Sequence, residues 1–345
     1  MNTALKWEKK KTLDIGLDYA MFGGKLEFNA DWYKAVSEDL LYSVPVPAEA
    51  GATNGSVTMN AATMENTGLE FALAWHDYGH ELKYDISANM TLPKNKVTSL
   101  GMGESQRIDG DCITKVGSEV GQFYGYVYEG IFQNQDEIDN RINAEGLHVN
   151  QNGAQPGDVA YKDVNNDGEI TGDDRTILGS GMPKVQFGLS FRLEYKGFDL
   201  VVYGTGTAGN KIANLFYQAD GPFRNSLRYF YDNAWTESNK NTTVPSCLSV
   251  VNDWTYWSSS GVVFDGSYFK IKQIQLGYTL PKSLTQKAFI NNARVFVSFD
   301  DYITFSKYPG ADPETATMSS SNAMGLDNGS YPTTRKMVAG IAITF

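Results

Sequence analysis

Six oxygen-bearing side chains fall at near-alternate positions in one short stretch: Asp163, Asn165, Asp167, Glu169, Thr171 and Asp174, with Gly168 among them. They match positions 1, 3, 5, 7, 9 and 12 of a calcium-loop template, with glycine at position 6 for the sharp turn. Calcium requires several hard oxygens converging on one point, and this spacing supplies them. Glu169 would act through its backbone carbonyl and Thr171 through a water. Position 12 is Asp where the template has Glu, which shortens its reach and weakens bidentate binding. The same spacing also suits an Asp/Asn-rich turn closed by its own hydrogen bonds without metal. A bound Ca²⁺ would pin a loop and catalyse nothing.

Trp254, Tyr256 and Trp257 lie close together, near Asn252 and Asp253. Aromatic faces stack on sugar rings while amide and carboxylate neighbours bond hydroxyls, so this is a candidate substrate-binding group. The competing reading is that the rings pack a loop against its neighbours or against a covering protein. The histidines His76, His80 and His148 form no ligand set, because His76 and His80 flank a turn and no helix aligns them. No G-x-S-x-G elbow, P-loop or paired CxxC occurs, and no Ser/His/Asp set is legible. No enzyme activity and no organic cofactor are expected. Cys112 and Cys247 allow at most one disulfide. The net charge of −11 argues against a nucleic-acid partner, which calls for a basic stripe.

The elements that must hold these residues are strands. Leu13, Ile15, Leu17, Tyr19 and Met21 alternate with Asp14, Gly16, Asp18 and Ala20, giving one apolar and one polar face. After Phe22-Gly23-Gly24, the residues Leu26, Phe28, Ala30 and Trp32 continue the pattern. It recurs at Leu69–Trp75, Leu82–Met90, Val185–Tyr195, Phe198–Gly204, Tyr268–Leu280, Val295–Phe305 and Thr333–Phe345. The phase changes near Ile271–Ile274, which predicts a bulge. Asp301 interrupts the apolar face of the eighth strand. In the loops, Asn134 ahead of Gln135-Asp136-Glu137 predicts a capped helix running to about Ala144.

The links alternate in length. Those at 22–24, 77–80, 196–197 and 281–292 are short, and those at 35–67, 93–183, 205–267 and 306–332 are long. A membrane β-barrel obeys that rule, with short periplasmic turns and long outer loops. A strand of about ten residues, at ~3.3 Å each and tilted, spans the ~25 Å apolar band. Mean hydropathy is −0.35, and no run reaches the ~18–20 apolar residues of a membrane helix; barrel strands escape that test. Aromatics are 13% of residues. Tyr19, Phe22, Trp75, Tyr78, Tyr195, Phe198, Tyr278 and Phe345 flank the short links, while Trp32, Tyr33, Phe305 and Tyr308 flank the long ones, as interfacial belts require. The fold class is therefore an all-β antiparallel transmembrane barrel segment of about nine strands. Single-chain bacterial barrels have even strand numbers, so further strands are expected upstream. The amino terminus has no hydrophobic core and is not a signal peptide.

Specific motifs give a resemblance. Leu5-Lys6-Trp7-Glu8 with Ile15-Gly16-Leu17-Asp18, and Asn66-Thr67-Gly68-Leu69-Glu70, resemble strand openings of SusC/RagA-type TonB-dependent outer-membrane transporters. Gly121-Gln122-Phe123-Tyr124-Gly125-Tyr126, continuing to Gly130-Ile131-Phe132, is similar to that family's glycine-aromatic segment. Pro156-Gly157-Asp158 leading into Asp163–Gly168 and Asp173-Asp174-Arg175 is the most specific match. Leu276–Pro281 and Tyr308-Pro309-Gly310-Ala311-Asp312-Pro313-Glu314 also fit. The resemblance covers nearly the whole chain and corresponds to the carboxy-terminal part of a barrel of roughly 22 strands. The plug domain, TonB-contacting segment and early strands are not in the sequence. The resemblance implies outer-membrane localisation and uptake of glycans or peptides powered through TonB. It also implies a SusD-like surface lipoprotein as partner, besides the surrounding lipid. Two rival classes remain at this level: a secreted β-rich adhesion protein with a dockerin-like calcium loop, and an outer-membrane barrel enzyme.

Overall fold

A computed structural model describes residues 5–45, 56–101, 103–215, 227–247, 254–315, 324–329 and 331–345. One nine-stranded antiparallel sheet forms a wall in strict sequence order. Its strands are β1 (Lys9–Met21), β2 (Leu26–Pro45), β3 (Ser56–Asp77), β4 (Leu82–Ser99), β11 (Val185–Tyr195), β12 (Phe198–Ala208), β15 (Tyr268–Thr279), β16 (Asn292–Ser306) and β18 (Lys336–Thr344). β1 and β18 are its two edges, so the sheet does not close on itself.

The register carries the alternation from strand to strand. Ile15 sits opposite Trp32, Trp32 opposite Leu69, and Leu69 opposite Leu92. The apolar side chains thus line one continuous face. Among the described residues nothing covers that face: Leu73, Leu189 and Ile341 are 49%, 47% and 70% exposed. Two packed sheets would bury them, so the sandwich expected of a soluble adhesin is excluded. Short links close by turn chemistry. At 196–197 both residues adopt positive φ, Lys196 at 46° and Gly197 at 86°, the geometry that matches the twist of adjoining strands. The expected bulge in β15 lies between Ile271 and Gln273 against β16, opposite a second irregularity that leaves Asp301 at φ 59°.

The described residues of the long links hold more regular structure than the sequence predicts. Much of 35–67 is strand. β2 and β3 stay paired from Leu26↔Trp75 to Pro45↔Ser56 through two register shifts. The ladder rises about 40 Å beyond Trp32; most of it is half-buried, and Ala35, Val44 and Ala62 are buried. Within 93–183, β4 extends to Ser99. The strands β5 (Gln106–Asp109), β6 (Cys112–Lys115), β7 (Gln122–Gly125) and β10 (Thr176–Gly179) form a second sheet, and β8 (Tyr128–Ile131) pairs with β9 (Val159–Tyr161). In the later links, β13 (Lys211–Asn214) joins β14 (Val263–Asp265) and β17 (Leu326–Asp327). The helix capped by Asn134 is shorter than expected. It covers Gln135–Asp139, because Ile142 bridges to His148 and a turn through Gly146 redirects the chain.

These pieces share one core, including Phe123, Val159, Tyr161, Phe230, Val262 and Leu326. Three long links therefore fold together into one outer body at the same end of the wall.

Candidate functional site

The acidic loop at 163–174 is closed by hydrogen bonds that its own side chains accept from its backbone amides. Asp163 is 4% exposed; its Oδ2 accepts from the Gly168 amide at 2.9 Å and from Asn143 Nδ2 at 2.8 Å. Burial alone would raise its carboxyl, but these donors and neighbouring loop amides hold it below its ordinary value. Asn165 Oδ1 accepts from the Asp167 amide, and Asp167 Oδ1 from the Glu169 amide, at 3.1 and 2.8 Å. Gly168 has φ 88°, and a Cβ there would lie 2.9 Å from the His148 carbonyl, so glycine is required twice over.

Asp174 is fully buried, and both its oxygens take backbone amides, Val164 and Thr171, each at 2.8 Å. With Thr171 it forms the capping box of a short turn at Gly172–Asp174. The residue at template position 12 is thus a brace for the loop. Among the described residues no cluster of three or more His, Cys, Asp or Glu could hold a metal. One feature fits a cation: Asp163 Oδ1 is buried with no hydrogen-bond partner. An orphaned carboxylate oxygen is costly inside a protein unless a cation or water meets it.

The aromatic group divides. Tyr256 and Trp257 are 1% and 3% exposed and sit in the outer core, edge-on to one another at 5.3 Å between centroids. Trp257 also meets Phe230 edge-on at 5.7 Å. Their position is that of packing residues, since a ligand cannot stack on a buried ring. Asn252, Asp253 and the side chain of Trp254 lie outside the described residues. Tyr308, expected in the interfacial belt, is instead buried, donating its hydroxyl to Asp327 and accepting from Asn214 at 2.8 Å. Burial and the Asp327 carboxylate push its phenol up.

The histidines lie apart. His76 is within 3.5 Å of Glu27 and Asp85 on the inner wall, His80 is near Asp77 in the turn, and His148 contacts the Asp139 carbonyl in the outer body. Both cysteines are free, and burial with nearby Asp111 and Asp109 pushes the Cys112 thiol up to about 12.

One constellation has no counterpart in the sequence reading. Lys270, on the inward side of β15, is 2% exposed and meets Asp312 at 2.8 and 3.0 Å and Glu314 at 2.7 Å. Lys272, in the bulge, meets Glu314 at 2.8 Å and Asp301 at 2.9 Å. The bulge and the Pro309–Glu314 motif were each visible as residues. Their pairing was not, because it joins positions about forty apart. This cluster clamps the last outer loop to the wall. Asp301, an apparent fault in its strand, is the wall's own carboxylate in that clamp.

The inner face of the wall is hydrophilic. β1–β3 present Asp14, Asp18, Asp31 and Glu70, with Asp31 directly opposite Glu70. Opposite-sign pairs occur further round, as at Arg294–Asp199.

The geometry agrees with comparisons to known proteins. Residues 1–293 match the family model described as TonB dependent receptor-like, beta-barrel. The chain is 33% identical to TonB-dependent receptor P3 of Formosa agariphila and 26% identical to TonB-dependent receptor SusC of Bacteroides thetaiotaomicron. All of the chain is covered in both, but only 35% and 32% of those relatives. Among solved structures, the RagAB peptide transporter superposes with a TM-score of 0.78 at 25% identity, over the whole chain and 36% of that protein. The chain spans about a third of the length of the relatives it matches. With its uncovered apolar face, hydrophilic inner face and alternating links, it belongs to the TonB-dependent receptor-like β-barrel family of the cell outer membrane.

Proposed function

We propose that this chain forms part of the wall and the substrate-facing outer loops of a TonB-dependent nutrient importer that takes up oligosaccharides or peptides. Its role is non-catalytic: it encloses and admits cargo while energy arrives through TonB on the periplasmic side. A SusD-like surface lipoprotein is the partner expected over the outer body. The observation that carries this reading is the division of labour in one chain. An apolar face suits lipid, a polar face suits an aqueous lumen, and three long links share one core in the outer body. The peptide named for RagAB and the SusC relationship support testing both cargo classes.

Deleting the gene and supplying oligosaccharides and oligopeptides in turn as sole carbon source tests it. Growth on members of one class is expected to fail and to return on complementation, in a TonB-dependent manner. Unaltered growth on every member would overturn the reading. Of the three aromatics, Trp254 is the candidate for cargo contact. Complementation with Trp254→Ala should restore a folded receptor but only a fraction of uptake.

The 163–174 loop is read as a calcium site anchored by Asp163 Oδ1, with Asn165, Asp167 and the Glu169 carbonyl as further oxygens and Thr171 through water. Asp174 acts as the brace. Calcium there would fix the loop by supplying the missing partner for the orphaned oxygen. Limited proteolysis of the receptor should give faster cleavage across residues 158–178 in EDTA than in calcium; identical rates would remove the metal.

A further inference from the structure

Beside the outer body, on the apolar side of the wall, a cavity of about 810 Å³ opens where β4 parts from β11. Those two strands pair only as far as Thr91↔Gln186. Beyond it the free edge of β4 is taken up by residues 117–118, bonded to Val97 at 2.8 and 2.9 Å. A notch remains beside residues 92–96. Its floor is Trp32, Leu69 and Leu92, three residues in direct register at the top of the apolar band. Lys94 and Lys96 stand above that floor, two and four residues further along β4. Both point to the lipid side, because they share the parity of Leu92. Lys184 lines the cavity from the start of β11.

The charges are unevenly matched. Of the two acidic residues lining the notch, Glu65 is held by Lys34 at 2.8 Å. Glu119 remains against three lysines. The side chains of Lys94 and Lys96 are exposed and, among the described residues, make no ion pair or hydrogen bond, although Lys96 lies opposite Glu65 in the ladder. Lysines that merely reach from hydrocarbon to water do not need a pocket. Here two unpaired ammonium groups, about 7 Å apart along the strand, overhang an aromatic and aliphatic hollow at the lipid boundary. Lys and Arg at such a surface attract anionic headgroups.

We propose that this notch binds an anionic outer-leaflet lipid whose headgroup carries phosphate. The phosphate would meet Lys94 and Lys96, with Lys184 to one side, and the acyl chains would descend over Trp32, Leu69 and Leu92. The site is distinct from the cargo path, since it lies on the opposite face of the wall from Asp31 and Glu70. It rests on the membrane orientation of the wall and does not depend on the import reading.

The test is the lipid that co-purifies with the full-length receptor from ³²P-labelled cells, extracted from detergent-solubilised protein. Wild type should retain labelled lipid, and Lys94→Gln/Lys96→Gln should retain at least fivefold less at equal heat-modifiable mobility. Lys94→Arg/Lys96→Arg should retain it, as should Lys282→Gln/Lys287→Gln at a short link on the other membrane side. Equal retention in wild type and the glutamine variant would overturn the proposal. So would complete release of the lipid by millimolar inorganic phosphate, which would make the site one for free phosphate. If the double variant fails to fold, Lys94→Gln alone is read by the same criterion, with retention equal to wild type again the overturning result.

Discussion

Trp257→Ala is expected to unfold the outer body and leave the wall standing. The ring is buried where residues from separate long links meet, edge-on to both Phe230 and Tyr256. Removing a buried tryptophan costs about 3–5 kcal/mol, from lost burial and the cavity left behind. The wall's hydrogen-bond ladder has no part in that core. The variant should therefore keep its heat-resistant mobility in detergent while trypsin gains access to 106–178 and 227–264. Simultaneous loss of wall and outer body would show that the two are one cooperative unit.

Lys270→Met has an effect of similar size by a different mechanism. It leaves the buried Asp312 without its ammonium partner, while Glu314 keeps only Lys272. Breaking a buried pair by removing one partner costs about 3–5 kcal/mol, because the remaining charge is uncompensated. The last outer loop should detach from the wall, seen as rapid hydrogen exchange across 308–315 and 331–335. Acid should do the same to wild type. Burial alone would raise the Asp312 and Glu314 carboxyls, but the lysines hold both below their ordinary values of 3.8 and 4.5. Carboxyls lowered on folding stabilise fully above those ordinary values and lose that contribution as pH falls through the lower folded ones. Loop protection should thus persist at pH 5 and vanish in strong acid, whereas in Lys270→Met it is absent at both.

The wall was legible in the sequence because its signal is local. Leu13 to Met21 or Val185 to Tyr195 can be read as strands from their own alternation, and ladder order follows from link length. Even the bulge at 271–273 declared itself as a change of phase. The outer body was illegible for the opposite reason. Its strands run two to four residues, too short for periodicity, and several pair across long separations, as β13 does with β17. Composition misled there as well. Asn, Ser and Gly in 35–67 suggested a loop, whereas the two strands stay paired there without a regular apolar alternation. At the acidic loop the residue types fit the calcium template, but Asp174 turns both its oxygens to backbone amides. Tyr256 and Trp257 carried the chemistry of sugar contact and the burial of core residues; sequence alone cannot separate those roles.

Accessibility of paired neighbours to lipid tests the membrane-facing wall most directly. Nitroxide labels placed singly at Leu73, Leu189 and Ile341, and at their inward neighbours Ala72, Ser190 and Ala342, would be read in bilayers after Cys112 and Cys247 are changed to serine. The first three should relax strongly with lipid-soluble oxygen and weakly with a water-soluble nickel chelate, and the second three should show lower oxygen access at the same depth. Protection of Leu73, Leu189 and Ile341 from oxygen, or equal access on both faces, would contradict a wall whose apolar side meets hydrocarbon.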